Sequence, residues 1–306
     1  MLEVYDVSWR NNRQTAVALG YFDGVHIAHQ SLIKQMCDWA QEHNLQKAVF
    51  TFTKKIKLGH KGKDILAQHK KKEYMNDLGV ELFYSPDFME FNELTPEEFV
   101  QNILIDSMGA KAVFCGENFF FGKNRRGNVK VLKELCEKYN IHFTQAETVF
   151  DFGQIVSSTE IRNCLAEGEM EKVAHLLGRP YGVDFEVVHG KELGRTLGTP
   201  TINQIYPDSM CSPKSGVYIT CTTVDGKKYP SATGLGSRPT VNGVGQTCET
   251  FILGYKGDLY GQNIQVDFYY YLYPSKKFDT LDQLGQMILD SADMAKKYLT
   301  EKVVLE

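Results

Sequence analysis

The chain has 306 residues, 42% of them hydrophobic and 24% charged, enough for two ordinary cores in a globular protein. Its 34 basic and 38 acidic residues leave a formal charge of -4, which excludes a global field that recruits nucleic acid or anionic membrane, so any phosphate binding is local. Seven cysteines form no CxxC pair, which argues against a disulfide framework or a thiolate zinc site and for a reducing, cytoplasmic home. The stretch from Met1 to Asp6 lacks a basic region followed by an apolar core, and no apolar run approaches the roughly 18 residues of a membrane span. Neither export nor membrane insertion is expected.

From the N-terminus, short apolar runs at Ala16-Leu19, Ala48-Phe52, Leu82-Tyr84, Ala112-Cys115 and His142-Thr144 read as buried strands. Between them, Gln30 to His43 places Leu32, Ile33, Met36, Trp39 and Ala40 at helical spacing. Thr95-Pro-Glu-Glu98 supplies an N-cap, a proline at the first helical position and a capping-box glutamate. This alternation implies a parallel sheet covered on both faces, with its ligand at the strand C-termini. After a helix over 159–177, Gly178-Arg-Pro-Tyr-Gly182 punctuates the chain, and a domain boundary is expected near 180. Segments 183–188, 217–224, 229–235, 247–254 and 263–272 then alternate apolar and polar residues between turn clusters, as antiparallel strands of a small closed barrel do. Asp279 to Leu299 recovers helical spacing. The short runs Lys54-Lys57 and Lys70-Lys72 read as solvated faces.

The first chemical signal is Gly20-Tyr-Phe-Asp-Gly-Val-His-Ile-Ala-His29, between a strand and a helix. Small residues such as Gly20 and Gly24, next to Phe22 and Asp23, let a triphosphate approach the backbone, and a helix start favours anions. His26 and His29, three apart, can face one phosphate group and neutralise charge during adenylyl transfer. Val156-Ser-Ser-Thr-Glu-Ile-Arg162 adds Ser158, Thr159 and Arg162 at another helix start, groups that suit β- and γ-phosphates. An N-cap cluster with a solvated arginine is the alternative. Together the two motifs resemble the HxGH nucleotidylyltransferases. Between them, Gly116-Glu-Asn-Phe-Phe-Phe-Gly-Lys-Asn-Arg-Arg-Gly127 offers Asn118 and Phe121 to a flat ring, with Arg125 and Arg126 as weaker candidates.

The sharpest signal is His189-Gly-Lys-Glu-Leu-Gly-Arg-Thr-Leu-Gly-Thr-Pro-Thr-Ile-Asn203. Gly190, Gly194 and Gly198 permit tight curvature around a phosphate, with Arg195 and Pro200 between and beyond them. Thr201 and Asn203 share one face if this end is extended and suit Mg2+, a hard cation. Pro213-Lys-Ser-Gly-Val-Tyr218, Gly234-Leu-Gly-Ser-Arg-Pro-Thr240, Glu249-Thr250 and Gly257-Asp-Leu-Tyr-Gly261 follow. In this order and spacing, from about 15 to 299, the chain resembles the bacterial bifunctional riboflavin kinase/FAD synthetases. The resemblance implies an α/β plus β architecture: a Rossmann-like FMN adenylyltransferase domain (1–180), then a six-stranded antiparallel riboflavin kinase barrel with a C-terminal helix (181–306). It also implies that Glu249 is the base toward the ribityl 5'-hydroxyl and that Thr201 and Asn203 bind Mg2+ and ATP phosphates. Tyr260 and Asn118 are implied near flavin, and Gly190, Gly194, Arg195, Gly198 and Pro200 near ATP. ATP is then a co-substrate with Mg2+, riboflavin, FMN and FAD are the other small-molecule partners, and no tightly bound organic cofactor is required.

Three positions and one segment depart from the family pattern: Ala28 replaces the glycine between the histidines, the segment Thr51-Lys57 lacks the usual prolines and histidine, and Thr199 and Tyr273 replace an aromatic and an arginine. Two alternatives stay open at this level: a kinase beside a degenerate adenylyltransferase domain, or a non-catalytic flavin- or nucleotide-binding regulator. No nucleic-acid or membrane partner is expected, and the chain leaves room for a homo-oligomer.

Overall fold

The computed structural model describes residues 1–53, 63–151, 153–190, 198–240, 243–276, 278–302 and 304–305. The chain divides into two compact units, Met1–Ser158 and Thr159–Glu306.

In the first unit six strands, β1 (Leu2–Val4), β2 (Thr15–Leu19), β3 (Gln46–Phe50), β4 (Leu82–Tyr84), β5 (Ala110–Cys115) and β6 (His142–Gln145), form a sheet of order β1-β4-β3-β2-β5-β6. Every pairing is parallel. β2 is buried along its whole length, as a strand covered on both faces must be. Ala16 and Ala18 face α1 (Ile27–Glu42) through Leu32, Ile33 and Met36. Val17 and Leu19 face the opposite cluster, which contains Phe99, Val100, Ile103 and Leu132. α2 (Gln68–Asp77) follows β3. The expected capping box at Thr95 opens α3 (Pro96–Glu98): Thr95 Oγ1 accepts from the Glu98 N–H at 3.2 Å, and Glu98 accepts from the Thr95 N–H at 2.8 Å. The helix runs on as a π-helical stretch, Phe99–Ser107, and α4 (Val129–Lys138) precedes β6. β1 escaped the sequence reading because it is three residues long with two of them exposed, which leaves no periodicity to read. A two-residue hairpin, β7 (Phe150–Asp151) and β8 (Gln154–Ile155), closes the unit.

The second unit holds most of α5 (Ser158–Glu167), then α6 (Met170–Leu177) and seven strands: β9 (Tyr181–Val183), β10 (Val187–Val188), β11 (Thr201–Tyr206), β12 (Gly216–Val224), β13 (Lys227–Thr240), β14 (Gly243–Ile252) and β15 (Gln265–Tyr273). Their order is β10-β11-β14-β13-β12-β15-β9. The resemblance implies six strands; seven arise because one stretch is split. β9 pairs with Val266–Phe268, Glu186 bridges Asn263, and the Val187 N–H donates to the Gln262 carbonyl at 2.9 Å. Residues 181–188 therefore run along 261–268 while β10 also pairs with β11, and the two ends of the sheet meet through this segment.

α7 (Leu281–Glu301) packs on one face, with Ala292 against Ala232 and Phe251, and Ala295 and Leu299 against Ile219 and Cys221. The opposite face buries hydroxyls that satisfy one another: Thr220 to Thr233 and Thr233 to Thr250, each at 2.8 Å. A buried hydroxyl left unpaired would be costly, so the ladder fixes the register of three strands.

Gly109, at the turn into β5, has φ +66°, and a Cβ there would lie 2.7 Å from the Arg13 carbonyl oxygen. Gly109→Ala should therefore destabilise the first unit by roughly 1–3 kcal/mol. Both tryptophans, Trp9 and Trp39, lie in this unit, so urea unfolding followed by tryptophan fluorescence reads the change directly.

Candidate active sites

The chain runs outward from β2 through β3 and β4, then returns to β5 on the other side, so β2 and β5 flank the switch point of the sheet. Leu19 registers with Cys115, which brings the loops after residues 19 and 115 to the same edge. The first loop is tightly wound: Phe22 (φ 54°), Gly24 (φ 79°) and Val25 (φ 44°) are left-handed. A β-branched residue in that region is rare, and such strain is held only where the surroundings over-determine it. The surroundings here are explicit. The Phe22 ring fills the space above Gly20, where a Cβ would come within 3.0 Å of it. Asp23 is buried and accepts from the Ile65 N–H at 2.9 Å. The Tyr21 hydroxyl donates to Asp64 at 2.8 Å, and the Tyr21 carbonyl accepts from Thr51 Oγ1 at 3.1 Å and from Lys71 Nζ at 2.9 Å.

α1 starts at Ile27, three residues before the expected Gln30, and this makes His26 its N-cap. His26 Nδ1 accepts from the His29 N–H at 3.3 Å, which leaves the proton of the neutral ring on Nε2 as a donor. The His26 and His29 rings stack at 3.5 Å with 17° between planes, and Phe22 meets His29 edge-on at 5.2 Å. The cap forms across Ala28, so the extra methyl is compatible with it. Burial, then the neighbouring His26 and the Lys71 ammonium, hold His29 well below the usual imidazole range. His29 Nδ1 is buried without a hydrogen-bond partner.

The second motif reaches the first: Ser158 Oγ donates to the Asp23 carbonyl at 3.0 Å. Thr159 is exposed and Arg162 half-buried; both belong to the second unit. In the loop after β5, Asn118 is exposed. Phe121 is only 6% exposed and packs against Phe99 and Phe119, so it supports the loop from the core, while Phe120, under the Arg125 guanidinium at 4.5 Å, is the exposed aromatic. Phe22 and Asp23 likewise turn inward and brace the site. Lys71 was missed by the sequence reading: Lys70 and Lys72 pair with Glu73 and Glu3, but Lys71 is 1% exposed.

In the second unit, three strands assemble the other site. Asn203 on β11 registers with Glu249 on β14, which registers with Gly234 on β13. β11 is extended, so Thr201 and Asn203 share a face. Thr201, Gly234 and Glu249 line a cavity of about 220 Å3 whose far wall is Leu284, Met287 and Ile288 of α7. Tyr273 lines it too, its hydroxyl 2.5 Å from Ser291 Oγ. Gly190 lies against Asn203: a Cβ there would fall 2.4 Å from the Asn203 amide nitrogen. Gly198 has φ +69°, and Pro200 is exposed beside it. The expected Gly194 and Arg195 contacts, and the Lys54-Lys57 run, lie outside the described residues. Tyr260 stacks on His189 at 3.9 Å, which ties the loop after β14 to the entrance of the glycine-rich segment.

A parallel α/β unit with histidines on an anion-accepting helix start, and an antiparallel unit with a carboxylate registered against amide and hydroxyl groups, together define a two-domain group transferase acting on phosphate compounds. Comparison with known proteins gives the particular kind. Residues 8–160 match the FAD synthetase family and residues 177–299 the riboflavin kinase family. The chain is 30% identical over 301 residues to the bifunctional riboflavin kinase/FMN adenylyltransferase of Escherichia coli K12, covering 96% of each. It is 32% identical over 286 residues to that of Listeria monocytogenes, covering 90% of each. A Streptococcus pneumoniae crystal structure, described as a macrolide-efflux protein, superposes with a TM-score of 0.86 at 27% identity over 96% of this chain and 98% of that one. The chain belongs to the bifunctional riboflavin kinase/FMN adenylyltransferase family. Among the described residues, no helix is long and apolar enough to cross a membrane.

His29 yields a pH test. In an NMR titration its ring should stay neutral at about pH 6.5, where an unperturbed imidazole is half protonated. Unfolding restores that ordinary affinity, so the unfolded state takes up the proton first. Stability is then unaffected above about pH 6.5 and falls below it, by at most about 1.4 kcal/mol per pH unit for this one group. His29→Gln should remove that share of the acid loss.

Proposed function

We propose that the barrel unit transfers the γ-phosphoryl group of ATP to the 5'-hydroxyl of riboflavin, and that the α/β unit then transfers the adenylyl group of ATP to the FMN so formed. The observation that carries this reading is the register Asn203–Glu249, with Thr201 on the same cavity wall. Glu249 is half-buried at that wall and accepts the ribityl hydroxyl proton as its oxygen attacks the γ-phosphorus and the bond to ADP breaks. The apolar far wall from α7 suits the flavin rings. Thr201 and Asn203 offer neutral oxygens on one face, a donor set that fits Mg2+, which takes the rest of its shell from phosphates and water. Among the described residues no cluster of acidic, histidine or cysteine side chains forms a competing metal site. When bound with ATP, Mg2+ supplies charge neutralisation at the phosphates.

In the α/β unit an FMN phosphate oxygen attacks the α-phosphorus of ATP and pyrophosphate leaves. His26 donates from Nε2, and neutral His29 donates without a proton changing hands. Ser158 serves the leaving pyrophosphate, with the backbone at Gly20 and Gly24 beside it. Asn118 and the exposed Phe120 are assigned to FMN, with Phe121 beneath them.

Glu249→Gln should lower riboflavin phosphorylation by about 10²–10⁴-fold while FMN adenylylation is kept. Changing His26 and His29 together to Ala should do the reverse. Chromatographic separation of riboflavin, FMN and FAD, in parallel reactions fed riboflavin and FMN, reads both. Equal loss of both activities in a folded Glu249→Gln protein would remove Glu249 from the role of base.

A further inference from the structure

An ammonium buried as deeply as that of Lys71 is uncommon, because leaving water is costly for a full charge. The surrounding helix does not explain it: α2 is polar, and Lys70 and Lys72 on either side remain partly exposed in pairs with carboxylates. Lys71 instead points at the strained turn. Nζ donates to the Tyr21 carbonyl at 2.9 Å and sits 4.3 Å from the centroid of the Tyr21 ring. That carbonyl also accepts from the buried Thr51, so elements following β3 grip the turn at the residue after Gly20. The same ring reaches Asp64 through its hydroxyl. The charge is felt at the histidine pair, where it adds to burial in disfavouring the imidazolium of His29.

We propose that Lys71 is a positioning residue of the adenylyl-transfer site, which clamps the Gly20–Val25 turn through the Tyr21 carbonyl and supplies fixed positive charge beneath the bound triphosphate. The proposal rests on the reading of the first unit as the adenylyltransferase. The role follows from two needs. The histidines must stay neutral donors, yet leaving pyrophosphate carries several negative charges that neutral donors only partly offset. A lysine held behind the turn meets both needs, since its field disfavours a second cation at His29 while attracting the anion. It also stabilises left-handed Phe22, whose ring props His29.

The test compares Lys71→Met, which keeps the length and removes the charge, with Lys71→Arg. Riboflavin phosphorylation by the same preparations serves as the internal control, because its site lies in the other unit. In Lys71→Met, kcat for FAD formation from FMN should fall by about 100-fold, the KM for FMN should change little, and riboflavin phosphorylation should be unchanged. Lys71→Arg should retain at least about tenfold more adenylylation than Lys71→Met, since the cation and a donor remain. Equal rates in Lys71→Met and the unsubstituted chain would overturn the proposal, as would equal losses in both variants with unaltered unfolding, which would assign Lys71 to packing alone. If Lys71→Met does not fold, the unsubstituted chain labelled with 15N at lysine Nζ is titrated with inorganic pyrophosphate. A shift of the Lys71 ammonium signal supports the proposal, and its absence overturns it. An unsubstituted chain that makes no FAD from FMN overturns the reading of the unit and the proposal with it.

Discussion

Burial of the parallel strands on both faces is the constraint from which the first site follows. β2 has no solvent-facing side chain along its five residues, so it has nowhere to carry chemistry except at its ends. The carboxyl end lies at the switch point, where neighbouring connections leave in opposite directions and open a crevice. The polar groups of the adenylyltransferase unit gather there for that reason: the Gly20 turn after β2, Thr51 after β3, and the Gly116 loop after β5. The cost is a backbone wound into left-handed geometry at Phe22 and Val25. It is offset by hydrogen bonds around the turn: Thr51, Lys71 and Ser158 donate to its carbonyls, the Ile65 N–H donates to Asp23, and the Tyr21 hydroxyl donates to Asp64.

The kinase unit solves the placement problem in the opposite way. An antiparallel sheet can use one face for packing and the other for function, and here α7 covers only part of the functional face. The space left between helix and strands is the cavity. Register does the work of positioning, because Asn203, Glu249 and Gly234 are fixed side by side by ladder hydrogen bonds, and the buried hydroxyl chain Thr220-Thr233-Thr250 locks that register from behind. The two chemistries differ accordingly. One unit presents imidazoles on a helix start, the other a carboxylate at a strand position open to a cavity.

Much of this was legible in residue order. The histidine pair is a short-range pattern that spacing alone picks out, Glu249 is singled out only through the family that the motifs around it resemble, and the Thr95 capping box formed as its residues dictate. What was not legible depends on contacts between residues far apart in sequence. Phe121 and Phe120 are neighbours of identical composition, and only the position of Phe99 decides which is core. Lys71 sits in a run of three lysines, and nothing in that run marks the middle one as buried; one group that it bonds is a carbonyl fifty residues earlier. The start of α1 at Ile27 was hidden because His26 is not among the commoner cap residues.

The segment 181–188 is bonded on one side to β11 and on the other to residues 261–268. The first strand to be synthesised in the barrel therefore waits for the last before its ring can shut, with Tyr181 finding Phe268 across nearly ninety residues of chain. Such distant pairing is slow to form. The α/β unit, complete by Ser158, needs nothing from that ring for its sheet. During translation the adenylyltransferase sheet can be assembled before the kinase barrel is closed, so a nascent or truncated chain passes through a stage with one finished domain and one open sheet whose unpaired edges are exposed to aggregation.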